Sequence, residues 1–199
     1  LRIVVTDVLA HPPTVIVLAA GRSERFKQSV QQAQRADLGE HKLHALLNGQ
    51  TVLEHVLTAV RSSGLPFFVV QAEHTLHIPH AGMGDSIAVG VQATESAHGW
   101  LVLPADLPLI QANSLLAVAQ ALQNHAVVVP FFQNQKGHPV GFDRSCQHDL
   151  MHLTGDRGAS AVVNKYGAFR LTLEDQGCVL DVDTVEIFSQ VEKLLRVPD

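Results

Sequence analysis

The sequence predicts an α/β fold of three αβα layers around a mostly parallel sheet. Two observations carry this reading. Short β-branched runs alternate with segments of helical period, and the strand-like runs end repeatedly on glycine, proline or aspartate turns. Val15-Ile16-Val17-Leu18 is an unbroken apolar run suited to a strand buried on both faces, ending in Ala19-Ala20-Gly21. Thr51-Val52-Leu53-Glu54 has a capping-box pattern. Apolar residues at Val52, Leu53, Val56, Leu57 and Val60 then recur at helical spacing until Gly64 and Pro66. Phe67 to Gln71 is the next strand. Gly82-Met83-Gly84-Asp85-Ser86 opens a helix expected from about Ser86 to Ala97, and Trp100-Leu101-Val102-Leu103 forms a central strand ending at Pro104-Ala105-Asp106. Asn113 is the expected N-cap of a helix carrying Leu115, Leu116, Ala119 and Leu122, with Ala126 to Phe131 as the strand after it. Beyond Phe132 the pattern loosens. We expect a turn around Asn134 to Gly137, a short helix near Gln147 to Leu153, another helix after Asp156, and strands at Phe169 to Leu173 and Val179 to Asp181. A last helix is expected from about Val185 to Arg196. Residues 1–13 are set aside as an N-terminal extension, leaving residues 14–199 as one domain.

Composition narrows the function. The chain has 199 residues, 46% of them apolar, enough for a sizeable single core. Only 17% are charged and the formal net charge is -5, so no basic field exists to hold a nucleic-acid backbone, and no nucleic-acid partner is expected. No apolar run approaches the roughly 20 residues a spanning helix needs, so no membrane partner is expected either. The opening Leu1 to Val5 run meets Asp7 too early for a signal-peptide core, and a cytoplasmic location is the expectation. Cys146 and Cys178 lack any C-x-x-C spacing and read as two reduced thiols.

The first strand runs into Gly21-Arg22-Ser23-Glu24-Arg25. Glycine lets backbone N–H groups approach an anion and the arginines add charge, which is a phosphate-binding arrangement. Two familiar phosphate loops fail here. In Walker A register Phe26 stands for the second glycine and Gln28 for the hydroxyl, and in dinucleotide register Ser23 and Phe26 replace the second and third glycines. An ordinary strand-to-loop turn with exposed arginines is the competing explanation. His74, His77 and His80 recur every three residues, yet Pro79 breaks a helical face and no other ligand cluster joins them, so a zinc site is not expected.

What remains is a series of motifs in one order. Leu18-Ala19-Ala20-Gly21-Arg22-Ser23-Glu24-Arg25 resembles the L-A-A-G-x-S-x-R loop of the MobA-like nucleotidyltransferases. His41-Lys42-Leu43 with Leu46-Leu47-Asn48-Gly49 is similar to the family's K-L-L segment. Gly82-Met83-Gly84-Asp85-Ser86-Ile87 resembles the G-M-x-x-S-L loop of the molybdenum-cofactor cytidylyltransferase branch, and Leu103-Pro104-Ala105-Asp106-Leu107-Pro108 the D-M-P metal motif. Gly137-His138-Pro139, Gly155-Asp156-Arg157-Gly158-Ala159 and Asp181-Val182-Asp183-Thr184 resemble the branch's G-H-P, G-D-x-G-A and D-I-D-T elements. The likeness spans residues 14 to 196. It implies a Rossmann-like domain of the nucleotide-diphospho-sugar transferase type. The implied reaction moves CMP, or GMP, from CTP or GTP to the phosphate of molybdenum-bound molybdopterin with Mg²⁺ and releases pyrophosphate. A molybdenum-dependent oxidoreductase is the implied downstream partner. A same-fold enzyme acting on a sugar- or alcohol-phosphate, and a noncatalytic nucleotide- or cofactor-binding delivery protein, are the alternatives.

Attack on an α-phosphate needs a divalent ion, cations for developing charge and backbone donors for orientation. Asp106, at a central strand's C-terminal end between two prolines, is the expected metal ligand, a turn or capping aspartate being its competitor. By resemblance Asp183 is the second ligand with Asp181 close behind, although Asp183-Thr184-Val185-Glu186 also reads as a helix cap. Lys42 and Arg25 join Asp106 as catalytic candidates, placed beside the triphosphate. Leu18, Ala19, Ala20, Gly21, Arg22 and Ser23 would hold the nucleotide's phosphates. Gly82, Met83, Gly84 and Ser86 would approach its base or ribose, against the plainer reading of a helix N-terminus. His138, Asp156 and Arg157 are the acceptor-side candidates. The chain departs from the family at Phe26, where a glycine is usual, and at an insertion from Lys27 to His41. That insertion is glutamine-rich without a clear apolar face, and a mobile flap or partly disordered loop is expected there.

Overall fold

In the computed structural model residues 11–196 are described; the first ten residues of the expected N-terminal extension and residues 197–199 lie outside the described residues. The order is β1 (Thr14–Ala19), α1 (Glu24–Gln32), β2 (Leu46–Leu47), β3 (Gln50–Thr51), α2 (Val52–Ser63), β4 (Phe67–Gln71), α3 (Ala72–Thr75), α4 (Met83–Ala93) and β5 (Gly99–Pro104). There follow α5 (Ala112–Ala121), β6 (Val127–Phe132), β7 (Gln135–Lys136), β8 (Val140–Asp143), α6 (Gln147–Met151), α7 (Ser160–Tyr166), β9 (Phe169–Thr172) and α8 (Val185–Arg196).

The main sheet has the order β4-β1-β5-β8-β6-β7, with β9 on the other flank of β6. β4, β1, β5, β6 and β9 run one way, and β7 and β8 run against them. The mostly parallel three-layer expectation is met. Side chains alternate across it as strand geometry demands: Val15, Val17, Leu101 and Leu103 enter one apolar core, while Ile16, Trp100 and Val102 enter the other. The first core lies under α1, α2, α5 and α8 and the second under α4, α6 and α7. Because β1 and β5 pair in parallel with Leu18 opposite Pro104, the loops carrying Gly21 and Asp106 leave the sheet side by side. That juncture is where ligands sit in open α/β sheets.

Thr51 caps α2 as its pattern indicates, its hydroxyl accepting from the Glu54 N–H at 3.1 Å. Other expectations are corrected. The Lys27 to His41 insertion is folded, since α1 occupies Glu24–Gln32 and a 3-10 turn occupies Ala36–Leu38. The apolar face of α1 consists of Phe26 and Val30, one helical turn apart, with Leu38 of the insertion beyond them, all buried. Phe26 meets Phe188 of α8 with ring centroids 6.2 Å apart. We therefore expect Phe26→Ala to cost about 3–5 kcal/mol of stability, read as a lowered urea midpoint with unchanged slope.

The strand expected at Val179 to Asp181 is absent. A 3-10 turn at Gln176–Cys178 leads into chain without a ladder partner, and the Val182 N–H instead donates to the Asp106 carbonyl at 2.8 Å. The segment is held by the loop after β5, which carries its aspartates to the strand ends. α4 starts earlier than Ser86 and stops before Ala97, at Met83–Ala93. α5 is not capped by Asn113; the buried Asp175 accepts from the Gln111 N–H at 3.1 Å and the Ser114 hydroxyl at 2.6 Å. Both cysteines are free and buried, as read from their spacing, and burial pushes each thiol up to about 11. No described helix is long and apolar enough to cross a membrane.

Candidate active site

A cavity of about 730 Å³ opens at the C-terminal ends of β1 and β5. One wall is the Leu18 to Arg25 loop, another Gly82, Met83 and Ser86, a third Asp106, and the far side Lys136, His138 and Asp181. Asp106, Asp181 and Asp183 converge here, with one oxygen from each within 4.8 Å of the others. Asp106 Oδ1 is buried and has no hydrogen-bond partner. Three hard oxygen donors with one left unpaired fit a divalent cation.

Lys42 lies at the centre of this cluster. Its ammonium donates to Asp106 Oδ2 and Asp183 Oδ1, each at 2.5 Å. Burial lowers the lysine's proton affinity, but the two carboxylates outweigh it and the net shift is upward. Asp183 also meets Arg25 Nη2 at 2.8 Å. Burial works to raise its proton affinity, and the Lys42 hydrogen bond with the Lys42 and Arg25 charges more than compensates, holding its carboxyl below the usual range. Asp181 goes the other way, raised first by burial and then by the charges of Asp106 and Asp183. The insertion thus leaves Lys42 in place, at the start of a 3-10 turn (Lys42–His44) from which its ammonium reaches Asp106 and Asp183. The neighbouring His41 Nε2 is 3.1 Å from the Gly21 carbonyl, and donates to it as the Nε2–H tautomer. His41 carried no signal of its own beyond adjacency to Lys42.

The capping reading of Asp183 gives way to Thr184, whose Oγ1 accepts from the Ile187 N–H at 3.4 Å at the start of α8. Asp183 is left free to face the cleft. Ser23 precedes α1 with a left-handed φ of 58°, and its hydroxyl is buried, unpartnered and part of the cavity wall. An unpartnered donor at a helix N-terminus suits an anion.

Gly82 is packed where a Cβ would collide with Gly155 and Asp156. Asp85, to which we assigned no role from sequence, explains that closeness. Its buried Oδ2 accepts from the Gly82 N–H at 2.8 Å and the Gly155 N–H at 2.9 Å, latching the two loops together. Ser86 donates to the Gly82 carbonyl at 3.1 Å and still borders the cavity. Among the remaining candidates, Leu18, Ala20, Gly21, Arg22, Met83, His138 and Asp156 line the cavity; Ala19, Gly84 and Arg157 do not. Gly84 packs on the backbone of Thr154 and Gly155, and Arg157 is exposed. His138 is largely buried, which lowers its proton affinity and favours a neutral ring. His74 accepts from the Gln71 N–H at 3.0 Å and packs edge-on to Phe68, occupations that account for it without zinc.

The family model for the MobA-like NTP transferase domain matches residues 15–170. The chain belongs to this family. As a MobA-like NTP transferase domain it is a nucleotidyltransferase, and a nucleoside triphosphate substrate fits that family. A search of curated proteins finds no significant match. Among solved structures it is similar to an Rv0371c homologue from Mycobacterium sp. strain JC1, with 23% identity and a TM-score of 0.74, covering 92% of this chain and 96% of that one. It is also similar to Rv0371c of Mycobacterium tuberculosis H37Rv in complex with manganese, with 21% identity, a TM-score of 0.68 and coverage of 92% and 98%. Molybdopterin-guanine dinucleotide biosynthesis protein A from Archaeoglobus fulgidus matches at 15% identity and a TM-score of 0.61, over 92% and 98%. At these identities the likeness is one of fold.

Proposed function

We propose that this MobA-like nucleotidyltransferase transfers CMP, with GMP as the alternative, from the nucleoside triphosphate to the phosphate of molybdenum-bound molybdopterin. One observation carries the chemistry: Asp106, with an unpaired buried oxygen, clusters with Asp181 and Asp183 opposite a loop whose Ser23 hydroxyl also lacks a partner. Asp106 and Asp183, with Asp181 beside them, would hold Mg²⁺. Such an ion, when bound, offsets negative charge on the phosphate oxygens. The manganese complex of the Mycobacterium tuberculosis neighbour supports a divalent ion in this fold.

The chain's own groups do the rest. The Gly21 to Arg25 loop, with Ser23 and the α1 N-terminus, orients the triphosphate, and Lys42 and Arg25 stabilise the charge that builds on it. An oxygen of the acceptor phosphate attacks the α-phosphorus, one P–O bond forms, the α–β bridging P–O bond breaks, and pyrophosphate leaves with the electron pair. The acceptor oxygen is already ionised, so no general base is required. Gly82 and Met83 approach the base, with Asp85 fixing the distance between their loop and Gly155. The cytidylyl preference rests on the Gly82-Met83-Gly84-Asp85-Ser86 sequence.

Of the features behind the noncatalytic alternative, Phe26 is accounted for by its contact with Phe188 of α8, and the insertion carries the buried Val30 and Leu38. The deciding experiment measures pyrophosphate release with Mg²⁺, each nucleoside triphosphate in turn, and either molybdopterin or a sugar-phosphate as acceptor. Release only with CTP or GTP and molybdopterin is expected. Release with sugar-phosphates alone, or none with any acceptor, contradicts the proposal.

A further inference from the structure

The insertion ends on His41, whose ring returns to the loop that follows β1: its Nε2 is 3.1 Å from the Gly21 carbonyl, 20 residues back in the chain. We infer that His41 is a positioning residue that locks the peptide between Gly21 and Arg22, its carbonyl turned out of the cleft and its N–H turned in toward the phosphates. The inference rests on the proposed course of the triphosphate along the Gly21 to Arg25 loop.

Peptide geometry supplies the first argument. In a trans peptide the C=O of one residue and the N–H of the next point to opposite sides. Gly21 and Arg22 line the cavity and His41 does not, so a carbonyl held by His41 leaves the Arg22 N–H facing the cleft. Freedom of the loop supplies the second. Gly21 is exposed, and a Cβ built there would meet nothing within 4 Å among the described residues, so packing does not set this peptide's direction. Glycine also lets the peptide turn over at little steric cost. Turned over, it would aim its carbonyl oxygen at the triphosphate, and repulsion would replace attraction. The surroundings of the ring supply the third. Burial lowers its proton affinity and favours the neutral form, which has a single N–H to place. Nδ1 is buried without a partner, so a proton there would be an unpaired donor and would set Nε2 and the carbonyl, two acceptors, face to face. The proton belongs on Nε2. The His44 ring stacks on His41 with centroids 4.9 Å apart, and the adjacent Lys42 is pinned between Asp106 and Asp183, which together hold the ring in place.

The test compares His41→Leu with His41→Gln in the full chain. A glutamine amide can bring an N–H close to the place of Nε2, and leucine cannot. Calorimetry gives Kd for CTP with Mg²⁺, and displacement gives Kd for cytidine, which has no phosphate; GTP and guanosine replace them if the wild type prefers guanine. His41→Leu should weaken the triphosphate about tenfold, as when one charge-assisted hydrogen bond is lost, and leave the nucleoside within about twofold. His41→Gln should stay within about threefold of the wild type for both. If His41→Leu fails to fold, His41→Asn, polar but too short to reach the carbonyl, takes its place with the same expected loss. An unchanged triphosphate Kd in a folded variant without the donor, an equal loss for triphosphate and nucleoside, or no rescue by glutamine overturns the inference and leaves the proposed reaction standing. A wild type that binds neither CTP nor GTP overturns the reaction and the inference together.

Discussion

Asp106→Ala is expected to reduce turnover by about 10³-fold or more, the several kcal/mol that a lost divalent-ion site removes from transition-state stabilisation. The fold should survive. Asp106 lies in a loop braced by the Val182 N–H on its backbone carbonyl, a bond the substitution keeps. Its carboxylate also crowds two others, so its removal relieves repulsion as it breaks one contact to Lys42, and Lys42 retains Asp183. The two effects oppose each other, and Tm in metal-free buffer should change little. The contrast between a nearly unchanged Tm and a collapsed kcat separates a metal ligand from a structural aspartate.

Lys42→Met should harm both properties. The ammonium is the counter-charge that lets Asp106 and Asp183 stand together, with only 14% of its side chain exposed. Breaking a fully buried pair costs about 3–5 kcal/mol; residual exposure here lowers the expected loss to about 2 kcal/mol at neutral pH. The sign of its pH dependence follows from the shifts. Asp183, held below its ordinary value, contributes stability above the unfolded carboxylate pKa and loses it as the pH falls through the folded value. Lys42, held above its ordinary value, contributes below the unfolded lysine pKa and loses that contribution as the pH rises through the folded one. The wild-type advantage should therefore be largest between about pH 4 and pH 10 and shrink on either side. Urea titrations across that range measure it. Turnover should fall about 10²–10³-fold, as when one preorganised donor to developing charge is lost.

Strands with strong local signals were legible in the sequence. β1 and β5 are dense in β-branched and large apolar residues, and their strand-end loops announced Gly21 and Asp106. β8 was not legible, because Val140-Gly141-Phe142-Asp143 has no such run. Its glycine is required by Val118 and Leu122, which pack where a side chain would be. The insertion's own residues show little apolar face because the anchor, Phe26, lies just before Lys27 and meets Phe188 of α8. The strand expected at Val179 to Asp181 failed because apolar character reports burial and cannot say whether a partner strand exists; the loop after β5 supplies the partner instead.

Among site residues, Asp106, Asp183, Asp181 and Lys42 were legible through motifs, and they meet in space across as many as 141 residues of chain. Asp85 and His41 were not, since each acts through backbone groups or neighbours distant in sequence. Thr184 and Asp183 compete for the same capping pattern on paper. Only the direction of the Asp183 side chain, toward Lys42 and Arg25, assigns the cap to Thr184.

The most direct test of the central claim is a crystal of the wild-type protein grown with CTP and Mn²⁺, read by anomalous scattering at the manganese edge. We expect one peak bound by Asp106 and Asp183, with the triphosphate along the Gly21 to Arg25 loop and Ser23 Oγ within hydrogen-bond distance of a phosphate oxygen. Manganese bound away from Asp106, or a triphosphate lying elsewhere than on that loop, would contradict the account.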